Sequence, residues 1–167
     1  MTYAIIPLDG RHIEQISHVS AAAFDPSYGE AWNVGQIIAI IGLPGYQLFG
    51  CMAPEGGGLA GFAIVRRMLD ESELLLLAVH PAMQRCGMAR AMIEYWRAAA
   101  RKGGVERLLL EVRADNMART LYQQMGFSRI ATRPNYYRGG DGKLRDSETM
   151  QHLIIDNDDR QMSNIIQ

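Results

Sequence analysis

The chain has 167 residues, of which 48% are hydrophobic and 21% are charged. This length suits one domain with a sizeable core, and the composition excludes a disordered chain and a membrane protein, since no apolar run approaches the roughly 20 residues of a membrane-spanning helix. Only two cysteines are present and the N-terminus lacks a secretory signal, which excludes a disulfide framework and favours a cytoplasmic location.

The first half of the chain predicts strands and helices separated by clear breaks. Strands are predicted at 3–8, 46–52 and 59–68, and helices at 13–23 and 34–41. The polar segment "FDPSYGEAW" separates the two helices, because its Pro and Gly interrupt helical periodicity. The two later strands are joined by "APEGGG", whose turn residues predict a hairpin.

The second half alternates strands and helices. "ELLLLAV" (73–79) is apolar on both faces and predicts a central buried strand. Met88, Met92 and Trp96 then recur four residues apart, which predicts an amphipathic helix that ends at the next glycine pair. Further elements are a strand "RLLLEVR", a helix "NMARTLYQQM" capped by Asn116, and the strands "FSRIATRP" and "SETMQHLII". We therefore expect one α/β domain at 1–155, with a mixed, mostly antiparallel sheet flanked by helices, and a frayed or disordered tail at 156–167.

The positive charge is concentrated in the middle of the chain. Residues 1–83 carry a net charge of −5, residues 84–145 carry +8, and residues 146–167 carry −4. The basic block either places arginines on solvent-exposed helix faces or attracts an anionic ligand. Direct binding of nucleic acid is disfavoured, because the arginines alternate with core residues and form no exposed run.

The segment "QRCGMAR" (84–90) lies between the central strand and the amphipathic helix. Free backbone N–H groups at a helix start bind anions, and the small residues Gly87 and Ala89 allow a close approach. The glycine spacing matches neither a nucleotide P-loop nor a dinucleotide fingerprint. From these residues alone, an anion-binding loop and an ordinary strand-to-helix connection are both open.

Three segments in chain order, "LAVHPAMQRCGMARAMIEYW", "LLLEVRADN" and "LYQQMGF", resemble the GNAT family of N-acetyltransferases. In that family a Q/R-x-x-G-x-G/A loop holds the pyrophosphate of acetyl-CoA, and "QRCGMA" fits this pattern. The combination "LEVRADN…ARTLYQQMGF…RPNYY…DG" further resembles the RimI-like branch, the ribosomal-protein alanine acetyltransferases. The resemblance implies the GNAT fold, with acetyl-CoA as co-substrate.

The resemblance also implies which residues hold acetyl-CoA. Backbone groups of the central strand would bind the pantetheine arm, at Leu77, Ala78 and Val79. The pyrophosphate would be surrounded by Arg85, Cys86, Gly87, Met88, Ala89 and Arg90, although an ordinary small loop residue is the favoured interpretation of Cys86. Asn116 would contact the cofactor as well as cap its helix, but the spacing to Tyr122 is one residue short, which makes Asp115 the alternative. The four histidines show no metal-ligand spacing, so no metal is expected.

Two residues are candidates for acid–base chemistry. Glu111 is a carboxylate among leucines, which requires either a salt bridge to Arg113 or another arginine, or a role as a general base made more basic by apolar neighbours. Tyr122 either packs in the core or acts chemically. The resemblance implies that Glu111 accepts a proton from the acceptor amine and that Tyr122 donates one to the departing CoA thiolate.

The resemblance places the acceptor between two loops. Tyr136 and Tyr137 lie in "RPNYYRGGDG", expected as a loop between the last two strands, and Trp32 lies between the first two helices. We therefore predict an acetyltransferase that acts on a protein N-terminus, with the N-terminal alanine of a ribosomal protein as a candidate. The alternatives are a small-molecule amine acetyltransferase and a catalytically silent acyl-CoA-binding module. The presence of both Glu111 and Tyr122 argues against the silent module.

Overall fold

The computed structural model describes residues 3–154, which form a seven-stranded sheet flanked by four helices. The strands are β1 (Ile5–Pro7), β2 (Tyr46–Met52), β3 (Leu59–Met68), β4 (Glu71–Val79), β5 (Arg107–Arg113), β6 (Ser128–Arg138) and β7 (Leu144–Leu153). The helices are α1 (Ile13–Ala23), α2 (Val34–Ile40), α3 (Met88–Lys102) and α4 (Ala118–Gln124). The predicted tail at 156–167 lies outside the described residues.

The strands are arranged in the order β1-β2-β3-β4-β5-β7-β6. Every neighbouring pair is antiparallel except β4 and β5, which are parallel and are connected through α3. A parallel pair requires such a crossover connection, because a tight turn cannot return the chain to the same end of the sheet. The predicted mixed, mostly antiparallel sheet is confirmed.

The parallel strands β4 and β5 pair over only part of their length. Their register runs from Glu71 opposite Arg107 to Leu74 opposite Leu110, and then stops. Beyond this point β4 continues beside β3 alone, while β5 continues beside β7. The β3–β4 register also shifts here, leaving Leu75 as an extra residue, and such bulges bend a strand. A gap therefore opens between the carboxyl ends of the two parallel strands.

The core lies on both faces of the sheet. On one face, α3 buries Met88, Met92 and Trp96, which confirms the predicted amphipathic helix, and the Trp96 indole Nε1 donates to Ser72 Oγ at 2.8 Å. On the other face, a second cluster includes Ile16 of α1. Within residues 3–154, no helix is long and apolar enough to cross a membrane.

The last third of the chain differs from the prediction in two places. Helix α4 begins at Ala118, and Asn116 caps it from outside, with its Oδ1 accepting from the Ala118 N–H at 2.9 Å. Tyr136 and Tyr137 belong to β6, so the expectation that they lie in a loop is wrong. Proline and a left-handed Asn135 (φ 56°) interrupt the β6–β7 ladder, but its pairing resumes at Tyr137. These turn residues therefore predict a loop, although β6 continues through them.

Gly61 of β3 lies close to both β4 and α3. A Cβ atom there would lie 2.8 Å from the Ala78 carbonyl oxygen and 3.0 Å from Met92 Cε. We expect Gly61→Ala to lower the free energy of unfolding by about 1–3 kcal/mol, because backbone atoms cannot yield as a flexible side chain does. Urea denaturation measures this change. Gly10→Ala, with nothing within 4 Å, is the control, and equal losses in both variants would contradict the packing argument.

Candidate active site

Two cavities flank the carboxyl-terminal part of β4. The first, the gap cavity, has a volume of about 300 Å³ and lies where β4 and β5 separate. The second, the loop cavity, measures about 640 Å³ and lies between α4 and the loop that connects β4 to α3. Leu77 lines the gap cavity and Val79 lines the loop cavity, so β4 contributes to the walls of both. A ligand that lies along this part of β4 would reach both cavities.

The loop cavity has the features of an anion-binding site. Arg85 and Gly87 both adopt left-handed backbone angles, with φ of 61° and 87°, which curve the loop around the start of α3. The first backbone bond of the helix runs from the Ala91 N–H to the Gly87 carbonyl, and the N–H groups before it have no partner within a helix. Arg85 and Arg90 are exposed at its rim. The helix dipole and both arginines favour a negatively charged ligand.

The structure places most of the predicted cofactor-binding residues at the loop cavity. It is lined by Val79, Arg85, Gly87, Met88, Ala89 and Arg90. Cys86 is exposed and does not line the cavity, and its carbonyl accepts a hydrogen bond from the Tyr3 hydroxyl. Ala78 is buried and lines neither cavity. Asn116 lines the gap cavity instead of the loop cavity, while Asp115 lines neither.

Glu111 lines the gap cavity in a more polar setting than its leucine neighbours suggest. Its carboxylate accepts hydrogen bonds from Ser147 Oγ at 3.2 Å and Thr149 Oγ1 at 3.4 Å, and it pairs with Arg133 Nη2 at 3.2 Å. The expected salt bridge to an arginine is confirmed, with Arg133 and not Arg113 as the partner, whereas the expected apolar surroundings are wrong. The reason is the alternation of side chains along a strand, which turns the neighbouring apolar residues to the opposite face.

Tyr122 reaches the same cavity from α4 and is buried, at 7% exposure. Burial raises the pKa of its hydroxyl well above the ordinary value, and the nearby negative charge of Glu30 raises it further. Tyr137 also lines the cavity, and burial followed by the charges of Glu30 and Glu111 raises its pKa to about 12. An ordinary phenol is already neutral near pH 7, and the raised pKa keeps both hydroxyls protonated well above that pH.

Glu111 and Tyr122 approach the gap cavity from opposite faces of the sheet. Tyr122 packs in the core cluster of α3, together with Phe127. Ser147 and Thr149 face Glu111, whereas Glu148 between them turns towards α4 and pairs with Arg119 at 2.8 Å. An uninterrupted sheet would hold these two side chains on separate faces. Here the gap between β4 and β5 exposes both to one cavity.

The acceptor residues predicted from the sequence divide into two groups. Trp32 and Tyr137 line the gap cavity, whereas Tyr136 is 52% exposed and packs edge-on against Tyr137, with ring centroids 5.1 Å apart. Sequence reasoning missed Glu30 and Gln36, which also line the cavity. Neither lies in a motif, and only their position in or beside the loop between α1 and α2 could have indicated them.

The chain matches the acetyltransferase (GNAT) domain family over residues 46–129, a range that includes the loop before α3 and both Glu111 and Tyr122. It therefore belongs to the GNAT family, and it is an acetyltransferase. Members of this family use acetyl-CoA as co-substrate. The residues that could hold it are those of the loop cavity, and the described part of the chain contains no cluster of three or more potential metal ligands.

Two relatives and one solved structure show what the chain is similar to. The [ribosomal protein bS18]-alanine N-acetyltransferase of Escherichia coli K12 is 36% identical over 136 residues, covering 79% of this chain and 81% of that protein. The N-alpha-acetyltransferase RimI of Mycobacterium tuberculosis is 40% identical over 91 residues, covering 52% and 56% of the two chains. The crystal structure of the E. coli ribosomal-protein-S18-alanine N-acetyltransferase superposes with a TM-score of 0.81 and 30% identity, over 93% of this chain and 97% of that one. The resemblance seen in the sequence is confirmed.

A carboxylate introduced at Gly87 should abolish acetyl-CoA binding, because it adds bulk and negative charge where backbone N–H groups face the ligand. Isothermal titration calorimetry with acetyl-CoA measures the effect. Gly104→Glu is the matched control, since Gly104 has a similar left-handed φ of 73° and open space around it, but lies beyond the other end of α3. It should bind acetyl-CoA with wild-type affinity. Unchanged binding by Gly87→Glu would show that the loop does not hold the ligand.

Proposed function

We propose that this protein transfers the acetyl group of acetyl-CoA to the α-amino group at the N-terminus of a protein. The observation that carries the proposal is the gap cavity, where the carboxylate of Glu111 and the neutral phenol of Tyr122 line one space beside an anion-binding loop. The named activities of the relatives support a protein acceptor. The N-terminal alanine of ribosomal protein bS18 is the acceptor that we propose to test first.

In this proposal the main chain holds most of the donor. The part of β4 from Leu77 to Val79 no longer pairs with β5, so its outward backbone groups would bind the pantetheine arm. The pyrophosphate would lie against the start of α3, where Gly87 and Ala89 leave room and Arg85 and Arg90 supply positive charge. Asn116 would contact the donor at the gap cavity.

Glu111 would serve as the general base. An α-amino group has a pKa of about 8 and is therefore largely protonated at neutral pH, and an ammonium cannot attack a thioester. The Glu111 carboxylate removes a proton, and the nitrogen lone pair then forms a bond to the thioester carbonyl carbon. The carbon–sulfur bond breaks, and its electron pair leaves with sulfur. Tyr122 donates its hydroxyl proton to this sulfur, the second proton of the attacking nitrogen is lost to solvent, and the phenolate regains a proton from solvent, which yields an acetylated amine and free CoA.

Direct transfer requires no covalent enzyme intermediate, and neither cysteine is suited to form one. Cys51 is buried, and burial raises the pKa of its thiol. Cys86 is exposed but lines neither cavity. The acceptor's first residues would instead contact Trp32 and Tyr137 in the cavity and Tyr136 at its exposed edge.

The acceptor class is tested with acetyl-CoA and two sets of amines. One set consists of peptides that carry the first residues of bS18 from the same organism, and the other consists of common small amines. We expect mass spectrometry to find one acetyl group, on the peptide α-amine. The same peptide with a blocked N-terminus is the control. Acetylation of the small amines alone would refute a protein acceptor, and acetyl-CoA binding without any transfer would indicate a silent binding module.

Substitution of the base and the acid should separate chemistry from donor binding. We expect Glu111→Gln and Tyr122→Phe each to lower kcat by about 10²–10⁴-fold, the range for general acid–base catalysis, while acetyl-CoA affinity stays within about twofold. Glu106→Gln and Tyr95→Phe make the same chemical changes at residues that line neither cavity, and they should keep wild-type kcat. Wild-type turnover in Glu111→Gln or Tyr122→Phe would remove that residue from the mechanism.

A further inference from the structure

Arg113, the last residue of β5, is a buried arginine with several partners. It is 5% exposed, and its Nη1 lies 2.6 Å from the Glu30 carboxylate while its Nε pairs with Asp115. Glu111 lies two residues earlier on the same strand, so both side chains leave β5 on the same face. A buried guanidinium is costly to desolvate and persists only when its partners surround it.

Tyr28 supplies a third contact to this arginine. The Arg113 guanidinium carbon lies 3.6 Å from the centroid of the Tyr28 ring, and that of Arg145 lies 4.7 Å from the same centroid. Arg145 itself pairs with Asp141 at 2.7 Å and with Asp115 at 3.7 Å. Two cations thus contact one aromatic ring, and cation–π attraction is strongest where water is excluded.

These contacts join three segments that are distant in sequence. Tyr28 and Glu30 belong to the loop between α1 and α2, Arg113 ends β5, and Arg145 lies in β7. The turn between β6 and β7 also lies directly against the α1–α2 loop, since a Cβ on Gly139 would fall 2.3 Å from the Ser27 carbonyl oxygen. Two of these segments, the α1–α2 loop and β5, line the gap cavity, and Tyr137 of β6 lines it beside them.

We propose that Arg113, together with Tyr28, Glu30 and Arg145, forms an arginine clamp that positions the acceptor-binding walls of the gap cavity. Arg113 is a positioning residue in this proposal, and it acts by holding the α1–α2 loop against β5. The proposal rests on the proposed function, because it assigns the gap cavity to the acceptor. None of the four residues lines the loop cavity, so the clamp affects acceptor binding and leaves donor binding unchanged.

The chemistry of arginine is specific to this position. Its planar guanidinium pairs with carboxylates and stacks on an aromatic ring at the same time, whereas a lysine ammonium is a point charge on a flexible stem. Arg113→Lys therefore keeps the positive charge, but it cannot pair with the carboxylates and stack on the Tyr28 ring at the same time. Tyr28→Phe keeps the ring that both arginines contact, and Tyr28→Leu removes it.

The experiment measures KM for the acceptor peptide and for acetyl-CoA separately. We expect Arg113→Lys, Arg113→Gln and Tyr28→Leu to raise the peptide KM by about tenfold, the effect of losing one charge-assisted contact, with the acetyl-CoA KM within about twofold of wild type. Tyr28→Phe keeps the aromatic ring, and its peptide KM should stay close to the wild-type value. Arg66→Gln is the matched control, because Arg66 forms a half-buried ion pair with Glu73 at 2.7 Å, across the paired strands β3 and β4.

A second measurement follows the loop itself by amide hydrogen exchange of residues 24–33. Exchange should accelerate in Arg113→Gln and Tyr28→Leu, and stay at the wild-type rate in Arg66→Gln and Tyr28→Phe. Unchanged exchange, or faster exchange with an unchanged peptide KM, would overturn the clamp. If the wild-type protein acetylates no peptide, the proposed function fails, and the exchange rates alone then support or overturn the clamp.

Discussion

The parallel strands β4 and β5 share hydrogen bonds only as far as Leu74 and Leu110, and everything in the site follows from their separation beyond that point. Side chains of one strand alternate between two faces, so a sheet that stayed closed would keep Glu111 and the α4 residue Tyr122 on opposite sides. The gap removes the barrier between them. It also frees one edge of β4, whose backbone groups then need a partner from outside the sheet.

The arginines of the basic block, residues 84–145, fall into two groups in the structure. Arg85 and Arg90 face the loop cavity, where their charge favours an anionic ligand. Arg113, Arg133 and Arg145 belong to the same block, but each pairs with a carboxylate around the gap cavity. A net charge of +8 over residues 84–145 therefore does not describe one continuous anion-binding surface. Among the arginines of this block, Arg85 and Arg90 at the start of α3 are the ones that line the loop cavity.

Hydrophobic periodicity predicted the helices and strands that bury one regular face. It did not predict the contacts between segments that are distant in sequence. Strand β5 has the predicted bounds, because its alternating pattern depends only on its own residues. The partners of Glu111 depend on the β5–β7 register, which brings Thr149 opposite it across 38 residues of chain. The tyrosines of β6 were assigned to a loop, because local turn residues outweighed a strand pairing that only β7 supplies. Glu30 lies in no motif, and only its place in the loop between α1 and α2 could have indicated it, because its pairing with Arg113 depends on the fold.

In the four residues "LEVR" at the end of β5, core residues alternate with residues of the site. Leu110 and Val112 pack into the core beneath α3, which fixes the face that each neighbour must take. Glu111 and Arg113 consequently leave from the other face, where the first meets Ser147 and the second meets Glu30. A register slip of one residue would exchange the two faces, burying both charges in the core and placing aliphatic side chains in the cavity. The hydrophobic pair therefore determines where the charged pair lies, and core packing and chemistry in this strand are inseparable.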